Sequence, residues 1–264
     1  MKVIVARDEA QACSFAAHFV VRRIQLKPDL VLGCATGRTM VRLYRDLVVR
    51  HRNGDCSFAR VTTFNLDEYA GLPEDHPASY HSYMRAQFFD HVDLAPARTH
   101  LPDGNASDVV ASAEAYEADI RAHGGIDLQL LGIGRNGHVA FNEPGSSLCS
   151  RTRVKRLTED TIRANAPEFG GDDRVPRYVM TMGIGTIQEA RFLLLLASGP
   201  SKAAAVAAMA EGPVSSRCPA SILQMHQHAF VVVDREAAAS LREEYDTVEQ
   251  VLADPYEEYF WEGH

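Results

Sequence analysis

Short apolar runs alternate with amphipathic segments along this chain, and this alternation limits the folds that it can adopt. Residues 30–34 (LVLGC) have the composition of a buried strand, and residues 40–50 carry apolar side chains at helical spacing. Further strands are predicted at residues 1–6, 61–64, 126–131, 178–182, 192–197 and 230–233, and further helices at residues 8–25, 77–90, 107–123 and 202–210. Strands that alternate with helices predict an α/β fold, with a mostly parallel sheet and helices on both of its faces.

Length, charge and cysteine content favour a metabolic enzyme of the cytoplasm. The 264 residues suffice for one large domain, predicted to span residues 1–264. The formal net charge of −8 argues against nucleic acid or an anionic membrane as a partner. We find no apolar span of membrane length and no signal-peptide pattern at residues 1–6. Five scattered cysteines without a CxxC pair predict a reducing compartment, no disulfide framework and no zinc site.

A candidate anion site follows the strand at residues 30–34. The loop Ala35-Thr36-Gly37-Arg38-Thr39 leads into the N-terminus of the helix at residues 40–50. Free amide N–H groups and the helix dipole both favour an anion at such a position. The loop matches neither GxxxxGK[ST] nor GxGxxG, so the phosphate of a small molecule is the simplest ligand.

Two adjacent carboxylates follow the predicted strand at residues 61–64. Asp67 and Glu68 stand in the polar segment after this strand, where open α/β sheets bind their ligands. Taken singly, such residues are more often helix caps or solvated charges. Their place in a strand–loop–helix repeat favours a catalytic role instead.

The most informative segment is GIGRNGHVAFNEP at residues 132–144. Its glycines permit a tight turn and a close approach of a ligand to the main chain. His138 leaves that turn, with Asn136 two residues before it and Glu143 five residues after it. A histidine beside an amide and a carboxylate is suited to proton transfer near neutral pH. The motif alone is equally compatible with a glycine-rich loop whose polar groups cap one another.

Together, these segments resemble the glucosamine-6-phosphate deaminase family. The resemblance runs nearly from end to end, and its most specific parts are FNLDEY at residues 64–69 and NGHVAFNEP at residues 136–144. It implies a Rossmann-like, three-layer α/β sandwich. It also implies that an amino-sugar phosphate is the partner: glucosamine 6-phosphate and water would become fructose 6-phosphate and ammonia in the catabolism of N-acetylglucosamine. Such an aldose–ketose shift needs no redox cofactor and no metal.

The resemblance assigns roles to the candidate catalytic residues. His138 matches the residue that opens the sugar ring, and Asn136 and Glu143 match its partners. Because asparagine cannot take up a proton, Asn136 can only orient the imidazole, and Glu143 must supply the charge that stabilises imidazolium. Asp67 matches the base that moves a proton from C2 to C1 of the open-chain sugar.

Phosphate binding is assigned to the loop and to one lysine. Thr36, Gly37, Arg38 and Thr39 would surround the phosphate, with Lys202 as a cationic partner at the start of an apparent helix.

The chain departs from the family pattern at the phosphate end. Pro167 stands where an arginine commonly binds phosphate, and Arg38 and Met40 replace a small residue and a proline in the loop. We therefore expect Arg38 to pair with the phosphate in place of the missing arginine, with Arg163 as the alternative cation.

Regulation and assembly are left open. Ser146, Arg153 and Lys155 match an activator site of allosteric members, but Arg156 replaces a threonine there, so activation by N-acetylglucosamine 6-phosphate is not predicted. Family members differ in oligomeric state, so the resemblance allows a homo-oligomer. The sequence also leaves open whether the acidic, aromatic tail at residues 256–261 packs on the body.

Two other functions compete with this interpretation. A lactone hydrolase of the 6-phosphogluconolactonase type shares the fold and a comparable glycine–histidine turn, but Asp67 and the FNEP sequence at residues 141–144 argue against it. A non-catalytic sugar-phosphate sensor should carry an N-terminal helix-turn-helix and a basic face. This chain begins with a strand and is acidic.

Overall fold

The computed structural model describes residues 1–254, so the tail at residues 256–261 lies outside the described part. In chain order, the strands are β1 (Lys2–Ala6), β2 (Val31–Cys34), β3 (Thr62–Asn65), β4 (Asp67–Tyr69), β5 (Thr99–His100), β6 (Leu128–Leu131), β7 (Arg153–Arg156), β8 (Tyr178–Thr181), β9 (Phe192–Ala197), β10 (Ala229–Asp234) and β11 (Asp246–Thr247). The α-helices are α1 (Glu9–Leu26), α2 (Arg38–Arg52), α3 (Tyr80–Gln87), α4 (Val109–Ala122), α5 (Glu159–Phe169), α6 (Ile184–Gln188), α7 (Ala203–Ala210) and α8 (Val248–Leu252).

Eight of these strands form a parallel sheet in the order β11-β1-β10-β9-β6-β2-β3-β5. The strands β2, β6, β9 and β10 are buried along their whole length, which requires that both faces of the sheet are covered. Nearly continuous apolar runs such as FLLLLA in β9 fit this environment, because neither side of the strand meets water. The predicted α/β fold is confirmed.

Short capping signals determine where the helices begin. Asp8 caps α1 by accepting from Gln11 N at 2.8 Å, and Asp108 caps α4 as its sequence predicts. Helix α2 begins at Arg38, two residues before its predicted start. Arg38 and Thr39 therefore belong to the first helical turn and not to the loop before it.

A second, antiparallel sheet in the order β4-β8-β7 corrects two predictions. Residues 178–182 are predicted among the strands of the parallel sheet, but β8 lies in this small sheet. The polar segment that contains Asp67 is predicted as a connection, yet β4 pairs with β8, and Met182 N donates to Leu66 O at 2.6 Å. Strand β7 (RVKR) is not predicted at all. Pairing with a distant strand decided these elements, and polar segments carry no local signal for it.

The apolar length of the helices and the state of the cysteine thiols bear on the expectations drawn from the composition. No helix among residues 1–254 is long and apolar enough to span a membrane. All five cysteines lie in this part of the chain, and each is a free thiol. Burial raises the pKa of Cys13 and of Cys34 to about 12, which keeps both thiols protonated and unreactive at neutral pH.

Candidate active site

The candidate residues follow the carboxyl ends of four neighbouring parallel strands. In the spatial order β9-β6-β2-β3, these strands lead into the segments that carry Lys202, His138, Thr36 and Asp67. The chain winds from β2 toward one edge of the sheet and from β6 toward the other edge. Loops at such a reversal leave a crevice in which α/β proteins bind their ligands. Residues that are distant in the sequence are therefore collected at one edge of the sheet.

The turn before His138 is shaped around its imidazole. Gly134 N donates to His138 O at 2.9 Å, and Gly137 N donates to Gly134 O at 3.0 Å. A Cβ atom on Gly134 would lie 2.1 Å from Cε1 of the His138 ring, so any side chain there would displace the imidazole. The His138 side chain is 29% exposed, which leaves the ring accessible to a ligand.

Asn136 connects His138 to Glu143. Its amide oxygen lies 2.7 Å from His138 Nδ1, and its amide nitrogen donates to Glu143 Oε2 at 2.7 Å. Because a carboxylate only accepts hydrogen bonds, the amide nitrogen faces Glu143 and the amide oxygen faces the ring. His138 Nδ1 therefore carries a proton, and Nε2 is the nitrogen that can exchange protons with a ligand. Glu143 Oε2 lies 3.6 Å from Nδ1, within electrostatic range.

Glu143 is held in its ionised form. Burial raises its pKa, but His138, Thr161 and Asn136 outweigh this effect and lower the pKa to about 2. Thr158 Oγ1 also donates to Glu143 Oε1 at 3.3 Å, and Thr161 contacts the same oxygen. Thr158 caps α5, and Thr161 lies in its first turn. A helix that the sequence does not predict thus holds this carboxylate.

Asp67 is a buried carboxyl with a raised pKa. It is 4% exposed at the start of β4. Burial, and then the negative charge of Glu68, raise its pKa to about 8. The hydroxyls of Tyr69, Tyr80 and Tyr116 lie within electrostatic range of Asp67, and burial raises the pKa of each, so all three stay neutral. Once ionised, Asp67 is therefore a stronger base than an ordinary carboxylate.

The loop after β2 presents the N-terminus of α2. Gly37 has φ 105°, a conformation that favours glycine, and it forms the N-cap of α2 without a side-chain hydrogen bond. The amides of the first turn can therefore turn toward an anion. Helix α3 holds this loop, because the Tyr83 hydroxyl donates to Gly37 O at 2.8 Å and the Tyr80 hydroxyl interacts with the Thr36 side chain.

Three cations lie near this loop. Lys202 Nζ donates to Ile133 O at 2.6 Å, which places the lysine beside the His138 turn. Burial, and then the positive charges of Arg135 and Arg38, lower the pKa of Lys202. Cations that repel one another in this way favour a bound polyanion, since its charge relieves their repulsion.

Helix α5 contributes an acid to this region. Pro167 lies in its last turn, and the next residue, Glu168, lies within electrostatic range of Arg38 and Tyr83. Burial raises the pKa of Glu168, and Arg38 opposes this shift. Arg163, the alternative cation on α5, forms an ion pair with Asp160. Arg38 thus already has an anionic neighbour.

Hydrogen bonds tie the strand of Asp67 to the segment of His138. Asp67 pairs with Thr181 of β8, and the Thr181 hydroxyl accepts from Phe141 N at 3.2 Å. Asn142 Nδ2 donates to Met182 O at 2.9 Å. The candidate base and the candidate acid–base histidine therefore belong to one connected unit.

Sequence reasoning proposes the candidate residues on these loops but misses the side chains that hold or adjoin them. The residues missed are Tyr80, Tyr83, Arg135, Thr158, Thr161 and Glu168. A threonine before Glu159 and Asp160 is a helix-capping signal that could have located α5. Nothing local to the tyrosines indicates their partners. Within the described residues, no group of three or more His, Cys, Asp or Glu side chains is arranged to hold a metal ion.

Comparison with known proteins gives the chain its relatives. Residues 7–232 match the family of glucosamine-6-phosphate isomerases and 6-phosphogluconolactonases. The glucosamine-6-phosphate deaminase of Shewanella loihica is 52% identical over 241 residues, which cover 91% of this chain and 90% of that protein.

Solved structures agree with the sequence comparison. A structure described as a monomeric glucosamine-6-phosphate deaminase superposes with a TM-score of 0.89 at 48% identity, over 91% of this chain and all of that one (100%). The 6-phosphogluconolactonase from Trypanosoma cruzi superposes with a TM-score of 0.71 at 22% identity, over 92% of this chain and 97% of that one, and it shares the fold. The chain therefore belongs to the glucosamine-6-phosphate isomerase and 6-phosphogluconolactonase family.

Proposed function

We propose that this chain is a glucosamine-6-phosphate deaminase that converts glucosamine 6-phosphate and water into fructose 6-phosphate and ammonia. The observation that supports the proposal is that the hydrogen-bonded His138–Asn136–Glu143 array, the buried Asp67 and the N-terminus of α2 all follow the carboxyl ends of neighbouring parallel strands. An identity of 52% to a deaminase over 91% of the chain supports the same reaction. We assign residues 1–264 to one catalytic domain that serves amino-sugar catabolism.

Ring opening is the first step that we assign. His138 Nε2 takes the proton of the anomeric hydroxyl and then delivers a proton to the ring oxygen, as one imidazole can do in turn. Asn136 keeps the second ring nitrogen protonated and orients the ring. Glu143 stays ionised throughout this cycle, and its charge stabilises the imidazolium form.

Isomerisation follows on the open-chain sugar. Asp67 removes the proton from C2 while the C1 oxygen takes up a proton from solvent, which gives an enolamine-like intermediate, and Asp67 then returns its proton to C1 to leave an iminium group at C2. Water then replaces nitrogen at C2, and ammonia leaves. The raised pKa of Asp67, about 8, makes its ionised form a strong base, so we expect activity to rise from neutral to mildly alkaline pH.

The phosphate end is held by charge and by main-chain amides. Thr36, Gly37, Arg38 and Thr39 surround the phosphate at the N-terminus of α2, and Lys202, held beside the His138 turn, is its cationic partner. Arg38 supplies the guanidinium that Pro167 does not.

The remaining expectations follow from the chemistry and the composition. The steps transfer protons and add water without net oxidation or reduction, so we expect no redox cofactor and no metal. The net charge of −8 makes nucleic acid and anionic membranes poor partners. Free, scattered cysteines suit the cytoplasm. Light scattering of the purified chain measures whether it forms a homo-oligomer, since the relative of solved structure is described as monomeric.

An assay of both products tests the proposal. Ammonia and fructose 6-phosphate should appear in equal amounts from glucosamine 6-phosphate, and EDTA should leave the rate unchanged. Loss of activity with EDTA and recovery with a divalent ion would contradict the metal-free mechanism. Hydrolysis of 6-phosphogluconolactone without deamination would favour the lactonase alternative. No turnover on any amino-sugar phosphate would refute the proposal.

A further inference from the structure

Glu68 is a buried carboxylate to which the mechanism above gives no task. Its side chain is 3% exposed, and both of its oxygens accept hydrogen bonds. Oε1 accepts from Tyr69 N at 2.7 Å and from Tyr80 N at 3.1 Å. Oε2 accepts from His81 N at 3.0 Å and lies 2.8 Å from His81 Nδ1. A side chain bound by four donors is both ordered and well suited to carry a negative charge.

These contacts join two parts of the crevice. Glu68 belongs to β4, next to Asp67, and two of its donors are the first amides of α3, where the helix dipole also favours an anion. The same helix carries the Tyr83 hydroxyl to Gly37 of the phosphate loop. Glu68 is therefore the point at which the strand of the candidate base is attached to the helix that holds the loop.

The charge of Glu68 also acts on Asp67. Three neutral groups among the described residues interact with Asp67. They are the hydroxyls of Tyr69 on β4, Tyr80 on α3 and Tyr116 on α4. Glu68 is the ionisable neighbour whose negative charge opposes ionisation of the Asp67 carboxyl. His81 lies between two carboxylates. Its Nδ1 faces Glu68, and its Nε2 lies 3.7 Å from Oε1 of the exposed Glu74.

We propose that Glu68 is a positioning residue for the deamination reaction. Its carboxylate ties the strand of Asp67 to helix α3 and thereby to the phosphate loop, and, as the next residue of β4, it places a negative charge beside the candidate base. The inference rests on the proposed function, because it takes Asp67 to be the base that acts on C2. It gives a task to the second acid of the FNLDEY segment, which contacts neither the His138 array nor the loop itself.

The test compares pH profiles of kcat and kcat/KM for Glu68→Gln and the unaltered enzyme. The acidic limb of each profile is the range in which the rate rises as Asp67 ionises. Loss of the negative charge of Glu68 should move this limb to lower pH by about one unit, as expected for removal of a like charge beside a buried carboxyl. The rate at the alkaline plateau should fall roughly three- to tenfold, because Asp67 becomes a weaker base. The phosphate and amine of the substrate titrate identically in every variant, so a difference between profiles reports the enzyme.

Glu74→Gln is the matched control, since it makes the same change at a carboxylate that is 72% exposed and faces the same histidine. Its acidic limb should coincide with that of the unaltered enzyme. His81→Gln keeps a donor toward Glu68 and removes only the capacity for positive charge, so its limb should not move to lower pH.

Glu68→Asp separates the two parts of the proposal and serves if Glu68→Gln does not fold. The shorter side chain keeps the charge but loses its reach to α3, so KM should rise about tenfold while the acidic limb stays in place. An acidic limb that does not move in folded Glu68→Gln, or an unchanged KM in Glu68→Asp, would overturn the inference. Near-normal kcat in Asp67→Asn would instead refute the proposed site, so the two failures are distinguishable.

Discussion

At the scale of single residues, the two groups to which we assign proton transfer lie in different environments. Asp67 is buried, and its pKa of about 8 makes it a strong base once ionised. His138 is partly exposed and is backed by a carboxylate whose pKa is about 2. The first environment suits removal of a weakly acidic carbon-bound proton, and the second suits a reversible transfer between oxygen atoms.

The two roles predict different defects. Asp67→Asn keeps the shape of the side chain but removes the base, so isomerisation should stop while substrate binding is largely retained. His138→Gln should impair ring opening, and an analogue fixed in the open-chain form should bind this variant nearly as well as the unaltered enzyme. Turnover rates and the dissociation constant of the analogue measure both effects. Near-normal kcat in both variants would show that these side chains are wrongly assigned.

Gly134 offers a test of geometry alone. Gly134→Ala places a methyl group where the His138 imidazole lies, so the ring must move while the backbone keeps its path. We expect kcat to fall about 100-fold, the usual effect of displacing a catalytic group by about 1 Å. Gly132→Ala is the control in the same turn, because its Cβ would meet only Met40 Cε, at 3.9 Å. Equal activity of the two variants would contradict this account.

At the scale of elements, helices α2 and α5 bring a cation and an acid together beside the proposed phosphate site. Arg38 opens α2 beside the loop, and Glu168 near the end of α5 lies within electrostatic range of it. We therefore expect the phosphate and Glu168 to compete for the guanidinium of Arg38. The expectation follows from the position of Glu168 on α5, next to Pro167, where the family resemblance implies an arginine.

Arg38→Ala should raise KM for the phosphorylated sugar by about one to two orders of magnitude, as expected for loss of a charged hydrogen-bonded pair worth roughly 1.5–3 kcal/mol. Arg163→Ala is the control, because Arg163 is paired with Asp160 on α5. Steady-state kinetics of both variants measure this change in KM. If Arg163→Ala raised KM and Arg38→Ala did not, Arg163 would be the phosphate ligand.

Removal of the competitor should have the opposite effect. Glu168→Gln keeps the size of the side chain and abolishes its charge, so Arg38 becomes free to face the phosphate. We expect KM to fall about two- to fivefold, the effect of a partly screened charge. The same measurement in the Arg38→Ala background should show no further gain, since the competition requires Arg38. A fall of equal size in that background would mean that Glu168 acts on the phosphate directly.

At the scale of the whole molecule, Glu117 of α4 connects the layers around the two sheets. Its carboxylate accepts from Thr152 N at 2.9 Å, from the Thr152 hydroxyl at 2.6 Å, and from the Thr186 hydroxyl and Arg151 Nη2 at 2.5 Å each. Thr152 precedes β7 of the small sheet, and Thr186 lies on α6. One carboxylate thus joins three separate parts of the chain.

Glu117→Gln should lower the free energy of unfolding by about 1–3 kcal/mol, because it removes a charged acceptor from a buried network. Burial raises the pKa of Glu117, but Thr152, Thr186 and Arg151 outweigh it and lower the pKa in the folded state. A lowered folded-state pKa gives stability that is present above the unfolded-state pKa and lost as pH falls through the folded one. The defect should therefore be largest at neutral pH and shrink in acid.

Thermal unfolding at several pH values tests this, with Glu114→Gln on the exposed side of α4 as the control. Equal melting temperatures of the two variants at neutral pH would show that the network does not stabilise the fold.

The sequence by itself predicts six of the eight strands of the parallel sheet but not the short edge strands β5 and β11. Apolar runs such as FLLLLA exclude water on both sides, so they specify buried strands without reference to the rest of the chain. The glycine turn around His138 and the loop around Gly37 are likewise local, because glycine is the residue that those conformations require. For these features, local chemistry and the final structure coincide.

The strand of Asp67 and the contacts between distant site residues depend on the tertiary structure. The polar segment around Asp67 became a strand only because β8 pairs with it, and that pairing buries the carboxyl and raises its pKa. Thr161 reaches Glu143, Tyr83 reaches Gly37 and Glu168 reaches Arg38 across gaps in sequence that no local pattern spans. Burial and electrostatic interaction depend on distances in space, so the reactivity of each site residue was settled only when the chain had folded.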